Sequence, residues 1–312
     1  MLTENLGVFM QDVSCYLCGS TDRQVVARQT FTDNYLGLID PSFQGADRTI
    51  VACDECGLVY RAPQLDDRDL KVLYDHFRDA SFRGETPDQY FDRIDALPDA
   101  ESENFQKIVW LEQRIPDVLA KGGAILDIGC GGGVFLAKFV RHFPKWTGAG
   151  VEPTVSFAEL AARRTGMTVA ADSYRPGLLP QKFNLICLIQ VLEHVLDPIG
   201  FLQGVRRDMA PKGWLYLESP DVSDFGILPF DHDRYHAQHV YIYSLPLLEY
   251  IFAKAGFVIQ HSSIETTVRD KRNVVILAQA GEDIGEVPTV PDFPLEDAKD
   301  LVRRANSSAA QA

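Results

Sequence analysis

Short apolar runs alternate with segments of helical spacing through the middle of the chain. The run Ala124–Ile128 has the continuous hydrophobicity of a strand that is buried on both faces. It leads into the glycine turn Gly129–Gly133, after which apolar residues recur at helical spacing from Val134. A second strand is predicted at 146–152, and a second helix at 155–165 ends at a glycine. This alternation predicts an α/β sheet with parallel strands.

The same alternation continues towards the end of the chain. The remaining predicted strands share a short apolar run bounded by turn residues, and they cover residues 167–172, 183–189, 213–218, 257–264 and 273–278. Helices are predicted at 199–209 and 244–255, and a loop rich in Pro, Asp, His and Tyr occupies 219–243. These seven strands predict a doubly wound, Rossmann-like sheet whose ligand lies at the carboxyl ends of the strands.

Changes in sequence character divide the chain into four predicted parts. Residues 1–62 hold short strand-like runs, 63–120 are charged and helical in period, 121–282 form the α/β domain, and 283–312 form a tail expected to be largely disordered. Within the helical connector, the segment 81–93 has too few aliphatic residues for a core element. It is interpreted either as a cap over the ligand cleft or as an exposed connector.

Carboxylates stand at or near the ends of three predicted strands, at Asp127, Glu152 and Asp172. The glycine turn is expected to present backbone N–H groups to a ligand, and an acid at the end of the second strand suits a ribose diol. The dinucleotide-binding fingerprint requires a glycine where Val134 stands. An acidic residue followed by G-x-G-x-G resembles instead motif I of the class I S-adenosylmethionine-dependent methyltransferases.

That resemblance implies a site for S-adenosylmethionine. The stretch from Glu193 to Pro198 is also similar to the turn that follows the family's fourth strand. In this family the glycine turn faces the methionine part, the acid after the second strand holds the ribose, and the acid after the third meets the adenine. Carried over to this chain, the residues that contact the donor are Asp127, Gly129, Cys130, Gly131, Glu152, Pro153, Asp172, Ser173 and Gln190.

Composition and charge exclude several other functions. The formal charge of −14 and the lack of a basic run disfavour binding to a nucleic-acid backbone. The hydrophobic content of 46% is typical of a globular protein, and no apolar run approaches the ~20 residues needed to span a bilayer. The first residues carry no basic region followed by an apolar core, so no export signal is predicted and a cytoplasmic, reducing environment is expected. The sequence does not indicate an oligomeric state.

Four of the six cysteines form two C-x-x-C pairs, Cys15 with Cys18 and Cys53 with Cys56, and a glycine that eases the turn follows each pair. Two such pairs can complete a tetrahedral thiolate site on zinc. With all four positions filled by protein, the metal would support the fold rather than perform chemistry. Disulfides are the alternative, which a reducing environment disfavours. These pairs resemble the N-terminal zinc-binding domain of sugar C-methyltransferases, which act on nucleotide-linked deoxysugars.

The loop Tyr235–Ser244 is similar to the Y-D-E-H-x-Y/F-x-F-S segment of those enzymes, with His236 and Gln238 as departures. The departures favour methyl transfer to oxygen, or else to nitrogen, of a sugar, a nucleotide-linked sugar or a similar small polar acceptor. A base speeds reaction of a hydroxyl group by roughly 10²–10⁴-fold, and neutral histidine suits that role near pH 7. His239 is the candidate base, and His194 is its candidate partner.

The candidates for the acceptor pocket are His232, Tyr235, His236 and Tyr241. Residues 232, 236 and 239 would share one face of a helix and could bind a metal there, but this segment lacks the apolar periodicity of a helix. A hypothesis of another class is a non-catalytic module that retains the donor fold and binds another protein through its zinc domain. The acids at three strand ends favour the enzyme, because a module without donor chemistry has no physical need of them.

Overall fold

The computed structural model describes residues 12–29, 34–39, 48–75, 84–224 and 236–281. The predicted tail at 283–312 lies outside these residues. Within the described chain, clustering of contacts separates two compact units. The first unit holds the described residues up to 75 together with 222–224 and 236–242, and the second holds residues 84–221 and 243–281.

The first unit is built on an antiparallel sheet. Its strands are β1 (Arg23–Gln29), β2 (Arg48–Cys53), β3 (Val59–Ala62) and β9 (Tyr241–Ile242), in the order β1-β2-β3-β9. Helices α1 (Asn34–Ile39) and α2 (Asp67–Asp75) belong to the same unit. The predicted strand-like runs near Val25 and Val59 are therefore strands of this sheet.

The position of β9 differs from the predicted domain boundary. The sequence predicts that residues 219–243 form a loop of the domain 121–282, yet β9 pairs with β3 in register Val59 to Ile242 and Tyr60 to Tyr241. This pairing joins residues that are far apart in the sequence, which local patterns do not report. The stretch 236–242 therefore belongs to the unit that carries the cysteines.

The second unit contains a seven-stranded sheet, as the sequence predicts. Its strands are β4 (Gly123–Ile128), β5 (Trp146–Val151), β6 (Thr168–Ala170), β7 (Phe183–Ile189), β8 (Met209–Pro220), β10 (Phe257–Thr266) and β11 (Arg272–Ala280). The order is β10-β11-β8-β7-β4-β5-β6. Strands β4 to β8 are parallel, whereas β11 pairs antiparallel with β8 and β10. The parallel strands therefore end at one shared edge, where ligands of such sheets bind.

Helices connect and cover these strands, and those described in this unit are α3 (Pro87–Asp95), α4 (Glu103–Arg114), α5 (Pro116–Lys121), α6 (Val134–His142), α7 (Val155–Thr165), α8 (Pro198–Asp208) and α9 (Leu245–Lys254). Their starts follow local capping rules. The hydroxyl of Ser102 accepts the N–H of Phe105 at 3.3 Å at the start of α4, and Pro116 occupies the first turn of α5. None of the helices in the described part of the chain combines the length and apolar character needed to cross a bilayer.

The predicted connector contributes to the core of the second unit. Leu111 of α4 and Leu119 of α5 are buried in the same cluster as residues of the sheet. The indole N–H of Trp146 donates to the carbonyl of Leu119 at 2.9 Å, and its ring packs edge-on against Phe139 with 5.6 Å between centroids. Helices α4 and α5 are therefore part of the α/β unit, because their apolar faces cover strands that would otherwise be exposed.

The segment predicted as a cap or connector contains helix α3, whose Phe91 is buried against Val134 and Leu160. Each carboxylate that faces the neighbouring helices pairs with an arginine of α6 or α7: Asp88 with Arg163, Asp92 with Arg164 and Asp95 with Arg141. The expectation that this segment lacks a core element is therefore wrong. One aromatic side chain and a row of ion pairs dock the helix where aliphatic residues are missing.

Two glycines offer a test of how tightly this unit is packed. Gly133 begins α6 with a φ of 82°, and a Cβ there would lie 2.9 Å from Cβ of Ala161. Gly166 ends α7 with a φ of 69°, and a Cβ there would meet nothing within 4 Å. We expect Gly166→Ala to lower the free energy of unfolding by about 1–2 kcal/mol through backbone strain. Gly133→Ala should lower it further, because a collision in a packed interior adds to that strain.

Urea denaturation followed by tryptophan fluorescence measures both losses of stability. Equal losses for the two variants would contradict the close contact between the start of α6 and α7.

Candidate functional site

The turn between β4 and α6 leaves no room for side chains at its glycines. Gly129, Gly131 and Gly133 have φ angles of 74°, 53° and 82°, a region that residues with a Cβ rarely occupy. A Cβ on Gly129 would also lie 2.6 Å from Cγ2 of Val191. The turn therefore packs directly against the residues that follow β7, and it brings the carboxyl ends of β4 and β7 together.

Several backbone N–H groups of this turn are used within the protein. The N–H groups of Gly129 and Cys130 donate to the carbonyl of Val151, at 2.7 and 3.1 Å, and the N–H of Gly131 donates to Oε2 of Glu152 at 2.9 Å. These three N–H groups therefore donate within the protein, because β5 ends beside the turn and its last carbonyl and the following carboxylate satisfy the donors. Contact between the backbone of the turn and a ligand stays a prediction.

Glu152 connects the turn to the helix that follows β5. Its buried carboxylate accepts the N–H of Thr154 at 2.9 Å through Oε1, while Oε2 accepts the N–H of Gly131. The next residue, Pro153, is half-buried. The structure thus places two residues of the predicted donor site, Glu152 and Gly131, in direct contact.

Asp127 is a buried carboxylate near the end of β4. Among the described residues its Oδ1 atom has no hydrogen-bond partner. Burial and the nearby carboxylate of Glu152 raise the pKa of Asp127 well above its ordinary value, and the ammonium group of Lys107 opposes that rise. A buried acceptor without a donor costs free energy, so this atom is suited to receive a hydrogen bond from a ligand.

Lys107 and Glu218 form a buried ion pair in the same unit. Nζ of Lys107 lies 3.2 Å from Oε1 of Glu218, and their side chains are only 7% and 6% exposed. The amide of Asn273 donates to this carboxylate at 2.8 Å, and the hydroxyl of Tyr216 donates to it at 3.0 Å. The backbone N–H of Gln190 donates to the carbonyl of Glu218 at 2.8 Å. These donors compensate the cost of burying the carboxylate.

Sequence reasoning missed this ion-pair network, although two signals were present. Lys107 lies on the buried face of α4, where helical spacing predicts an apolar residue. Glu218 comes at the end of an apolar run, as Glu152 does, and a carboxylate at that position is a signal of a site. The contact with Asn273 gave no local signal, because it depends on the pairing of β8 with β11.

Other residues of the predicted donor site lie at separate points of the same unit. Asp172 follows β6, its side chain is 46% exposed, and it accepts the N–H of Ser173 at 2.8 Å. Gln190 follows β7 with a φ of 57°. The thiol of Cys130 faces the sheet, since a Cβ on Gly150 would lie 2.7 Å from its sulfur, and burial raises its pKa well above the ordinary value. The backbone of Cys130 thus belongs to the turn, whereas its thiol belongs to the core.

His194 ends a short 3₁₀ turn, Leu192–His194, after β7. Its side chain is 15% exposed, and its N–H donates to the carbonyl of Val191 at 3.0 Å. The neighbouring Glu193 is buried and accepts the hydroxyl of Ser219 at 3.1 Å. His194 therefore lies after the end of a parallel strand, in the same unit as the glycine turn.

The four paired cysteines form one cluster in the first unit. The sulfurs of Cys15, Cys18, Cys53 and Cys56 all lie within 4.8 Å of one another. A tetrahedral zinc site with Zn–S bonds of about 2.3 Å separates its sulfurs by about 3.8 Å, so the cluster has a suitable size. Hydrogen bonds among these sulfurs lower the pKa of Cys53 and raise the pKa values of Cys15 and Cys56, so that one thiolate is favoured and its neighbours stay protonated without a metal.

The glycine after each cysteine pair closes a tight turn. The N–H of Gly19 donates to the carbonyl of Cys15 at 2.8 Å, and the N–H of Gly57 donates to the carbonyl of Cys53 at 3.0 Å. Both glycines have positive φ angles, 75° and 71°, which glycine adopts without strain. These turns bring the two cysteines of each pair to the same side.

Arg61 of β3 fixes the stretch that contains His236 and His239. Its buried guanidinium donates to the carbonyl of His239 at 2.9 Å and to the carbonyl of His236 at 2.8 Å, and its N–H donates to the carbonyl of Val240 at 3.0 Å. The side chain of His239 is 8% exposed. The first unit therefore holds this stretch by its backbone.

The remaining predicted acceptor residues are only partly described. Tyr241 is 3% exposed in β9, and its ring lies 5.8 Å from that of Tyr16. The side chain is thus buried, and its role as an acceptor contact stays a prediction. His232 and Tyr235 lie outside the described residues.

The sequence matches a family model described as a methyltransferase domain over residues 100–262, just over half of the chain. A ubiquinone biosynthesis O-methyltransferase from Leptothrix cholodnii is 27% identical over 120 residues, which cover 36% of this chain and 50% of that protein. Its counterpart from Cereibacter sphaeroides is 32% identical over 100 residues, which cover 30% and 39% of the two chains. The aligned part of the chain thus spans half, or less than half, of the length of these two relatives.

Among solved structures, the magnesium protoporphyrin IX methyltransferase of Synechocystis PCC 6803 with bound SAH is 15% identical, with a TM-score of 0.49. The match covers 67% of this chain and 99% of that chain.

The cysteine cluster predicts a metal-dependent first unit. We expect Cys53→Ser to lose zinc and to unfold the first unit at a lower temperature, because metal binding contributes to folding when the ligands are brought together by the metal. Zinc content by mass spectrometry and thermal unfolding measure the two effects. Cys187→Ala, which changes a buried thiol of the second unit, is the control and should keep its zinc. Stoichiometric zinc in the Cys53 variant, or none in the wild-type protein produced with added zinc, would contradict the site.

Proposed function

Because this chain belongs to the methyltransferase domain family, we propose that it transfers a methyl group from S-adenosylmethionine to a small polar acceptor. The observation that carries the proposal is the contact between Glu152 and the turn at Gly131. A carboxylate at the end of the second parallel strand, beside a turn too crowded for side chains, suits the hydroxyl groups of a ribose.

The charges at this edge of the sheet fit the donor. The carboxylate of Glu152 provides negative charge for a molecule that carries a sulfonium and an ammonium group. The buried carboxyl group of Asp127 offers an unpartnered oxygen for a hydrogen bond. In this proposal the remaining donor contacts come from Gly129, Cys130, Pro153, Asp172, Ser173 and Gln190.

When bound, S-adenosylmethionine supplies a methyl group that is already activated by its sulfonium. The chain then has to hold the acceptor oxygen in line with that methyl group, exclude water and accept the proton of the acceptor. His239 and His194 are our candidates for the proton acceptor, with His239 as the base and His194 as the group that orients it or the acceptor.

Transfer to oxygen is the reaction that we favour. The relatives described above are named O-methyltransferases, whereas the resemblance of the N-terminal cysteines to sugar C-methyltransferases supports a sugar or a nucleotide-linked sugar as acceptor. Transfer to carbon or nitrogen is the alternative chemistry. A non-catalytic module that binds the donor or another protein is the alternative of another class.

We infer that the cysteine cluster holds a structural zinc ion. Four cysteine sulfurs would fill a tetrahedral site and leave no open position for a substrate. The cluster would stabilise the β2–β3 region, and Arg61 would transmit that order to the stretch around His239. His236 remains a candidate for acceptor contact, as do His232 and Tyr235.

Calorimetric titration with S-adenosylmethionine tests the donor assignment. We expect Glu152→Gln to weaken binding by about 10- to 100-fold, because it removes hydrogen bonds to a charged carboxylate worth roughly 1.5–3 kcal/mol. Glu159→Gln, which changes an exposed carboxylate on α7, should bind as the wild-type protein does. Absence of measurable binding to the zinc-loaded wild-type protein would refute the proposed function.

Methyl transfer from radiolabelled S-adenosylmethionine tests the base. We expect His239→Gln to retain donor affinity and to lose roughly 10²–10⁴-fold in turnover, because the acceptor proton then has no base. His261→Gln, on the exposed side of β10, is the matched control and should keep full turnover. Full turnover in His239→Gln would remove this residue as the base, and the parallel variant His194→Gln would then decide whether His194 takes that role.

A further inference from the structure

The second unit contains a cavity of about 460 Å³ that the donor site leaves unexplained. It lies between α4 and the strands β8, β10 and β11. The residues that line it include Lys107, Trp110, Tyr216, Glu218, Asn273 and Val275. Its volume falls in the range of pockets that bury small organic ligands, about 300–1,000 Å³.

The cavity adjoins the glycine turn through the residues that follow β7. Gly129 of the turn packs against Val191. Gln190 is the residue before Val191 in the chain. The backbone of Gln190 donates to the carbonyl of Glu218 at 2.8 Å, and its amide lies 3.5 Å from Oε1 of the same residue. Since Glu218 lines the cavity, a ligand there would lie beside the methionine part of a donor held by the turn.

The charged side chains of the cavity already have partners: Lys107 pairs with Glu218, Glu103 pairs with Arg269, and Glu265 lies 3.7 Å from Arg114. The carboxylate of Glu218 accepts from Asn273 and Tyr216 and pairs with Lys107 at 3.2 Å. Among the described residues that line the cavity, Lys107 is the only lysine or arginine, and the carboxylates are those of Asp99, Glu103, Glu218 and Glu265. To reach a cation on this lining, an anionic ligand would have to separate Lys107 from Glu218, which is costly for a buried pair.

The rest of the wall suits an uncharged ring. Trp110, Val109 and Val275 provide apolar surface, while Gln106 and Thr266 provide neutral hydrogen-bonding groups. Carboxylates beside aromatic and aliphatic surface favour hydroxyl groups, which can donate to an oxygen while the ring packs on the apolar wall.

We propose that this cavity receives the methyl acceptor and that the acceptor is a neutral ring bearing hydroxyl groups. The identity of the reaction in this inference rests on the proposed function. The cavity and its charges are observed independently of that function. The arrangement of charges disfavours an acceptor whose phosphate or carboxylate enters the cavity. Phenols and sugar rings share the required chemistry, and the experiment distinguishes them.

Fluorine NMR of protein labelled with 5-fluorotryptophan reports occupancy of the cavity. The chain has three tryptophans: Trp110 lines the cavity, whereas Trp146 is 2% exposed in the core and serves as an internal control. Trp110→Phe assigns the resonance. The neutral probes are catechol and methyl α-D-glucopyranoside, and their anionic counterparts are 3,4-dihydroxybenzoate and methyl α-D-glucuronoside. All are titrated in the presence of S-adenosylhomocysteine.

We expect at least one neutral probe to shift the resonance of Trp110 and leave that of Trp146 unchanged, and we expect its anionic counterpart to bind about tenfold or more weakly. A response to catechol identifies a phenolic acceptor, and a response to the glucoside identifies a sugar. No shift of Trp110 with any probe, or equal affinity for the anionic counterpart, would overturn the proposal.

A pair of variants separates occupancy of the cavity from surface effects. Thr266→Phe narrows the mouth of the cavity and should weaken the neutral probe about tenfold or more by excluding its ring. Val258→Phe places the same side chain at an exposed position of the same strand, outside the cavity, and should leave probe affinity unchanged. Equal probe affinity in both variants and the wild-type protein would also overturn the proposal.

Calorimetry with S-adenosylmethionine on the same samples keeps the two claims apart. Donor binding without a response of Trp110 refutes the acceptor cavity and leaves the proposed function in place. A response of Trp110 without donor binding supports a ligand cavity with this charge preference and refutes the methyl transfer.

Discussion

Steric crowding at the glycine turn is the constraint on which the rest of the second unit depends. Gly129 packs against Val191 and Gly133 packs against Ala161, so the turn can exist only without side chains at these positions. The same crowding brings the ends of β4, β5 and β7 together and places Glu152 against the turn. This edge, where the parallel strands end, is where we propose that the nucleoside part of the donor binds.

Buried charge is the second feature of that edge. Asp127 and Glu152 lie beside the turn, while Lys107 and Glu218 form an ion pair between α4 and the sheet. Burying an ion costs free energy unless the ion is paired and hydrogen-bonded. Glu218 has an ion-pair partner in Lys107 and hydrogen-bond donors in Asn273 and Tyr216. Asp127 differs, since one of its oxygens has no partner within the described chain. The edge therefore combines a satisfied ion pair with a buried oxygen that lacks a hydrogen bond and can receive one from a ligand.

The first unit depends on different physics. Its antiparallel sheet is small, and small domains bury too little apolar surface to be stable without additional links. The sulfurs of four cysteines meet within 4.8 Å, and a metal held there would supply such a link. Arg61 extends the order of this sheet to the backbone of His236 and His239. In the proposed function, metal binding would influence the placement of the candidate base through this one buried arginine.

The sequence by itself determined the features that depend on neighbours in the chain: the seven strands of the second unit, the glycine turn, the strand-end acids and the two cysteine pairs. Hydrophobic period and turn chemistry are local, so they can be read without coordinates. Only the tertiary structure decided the pairing of β9 with β3, the docking of α3 through Phe91, and the contacts of Lys107 and Asn273 with Glu218. Each of these joins residues that are distant in the chain, and such contacts are fixed by how whole elements pack against one another.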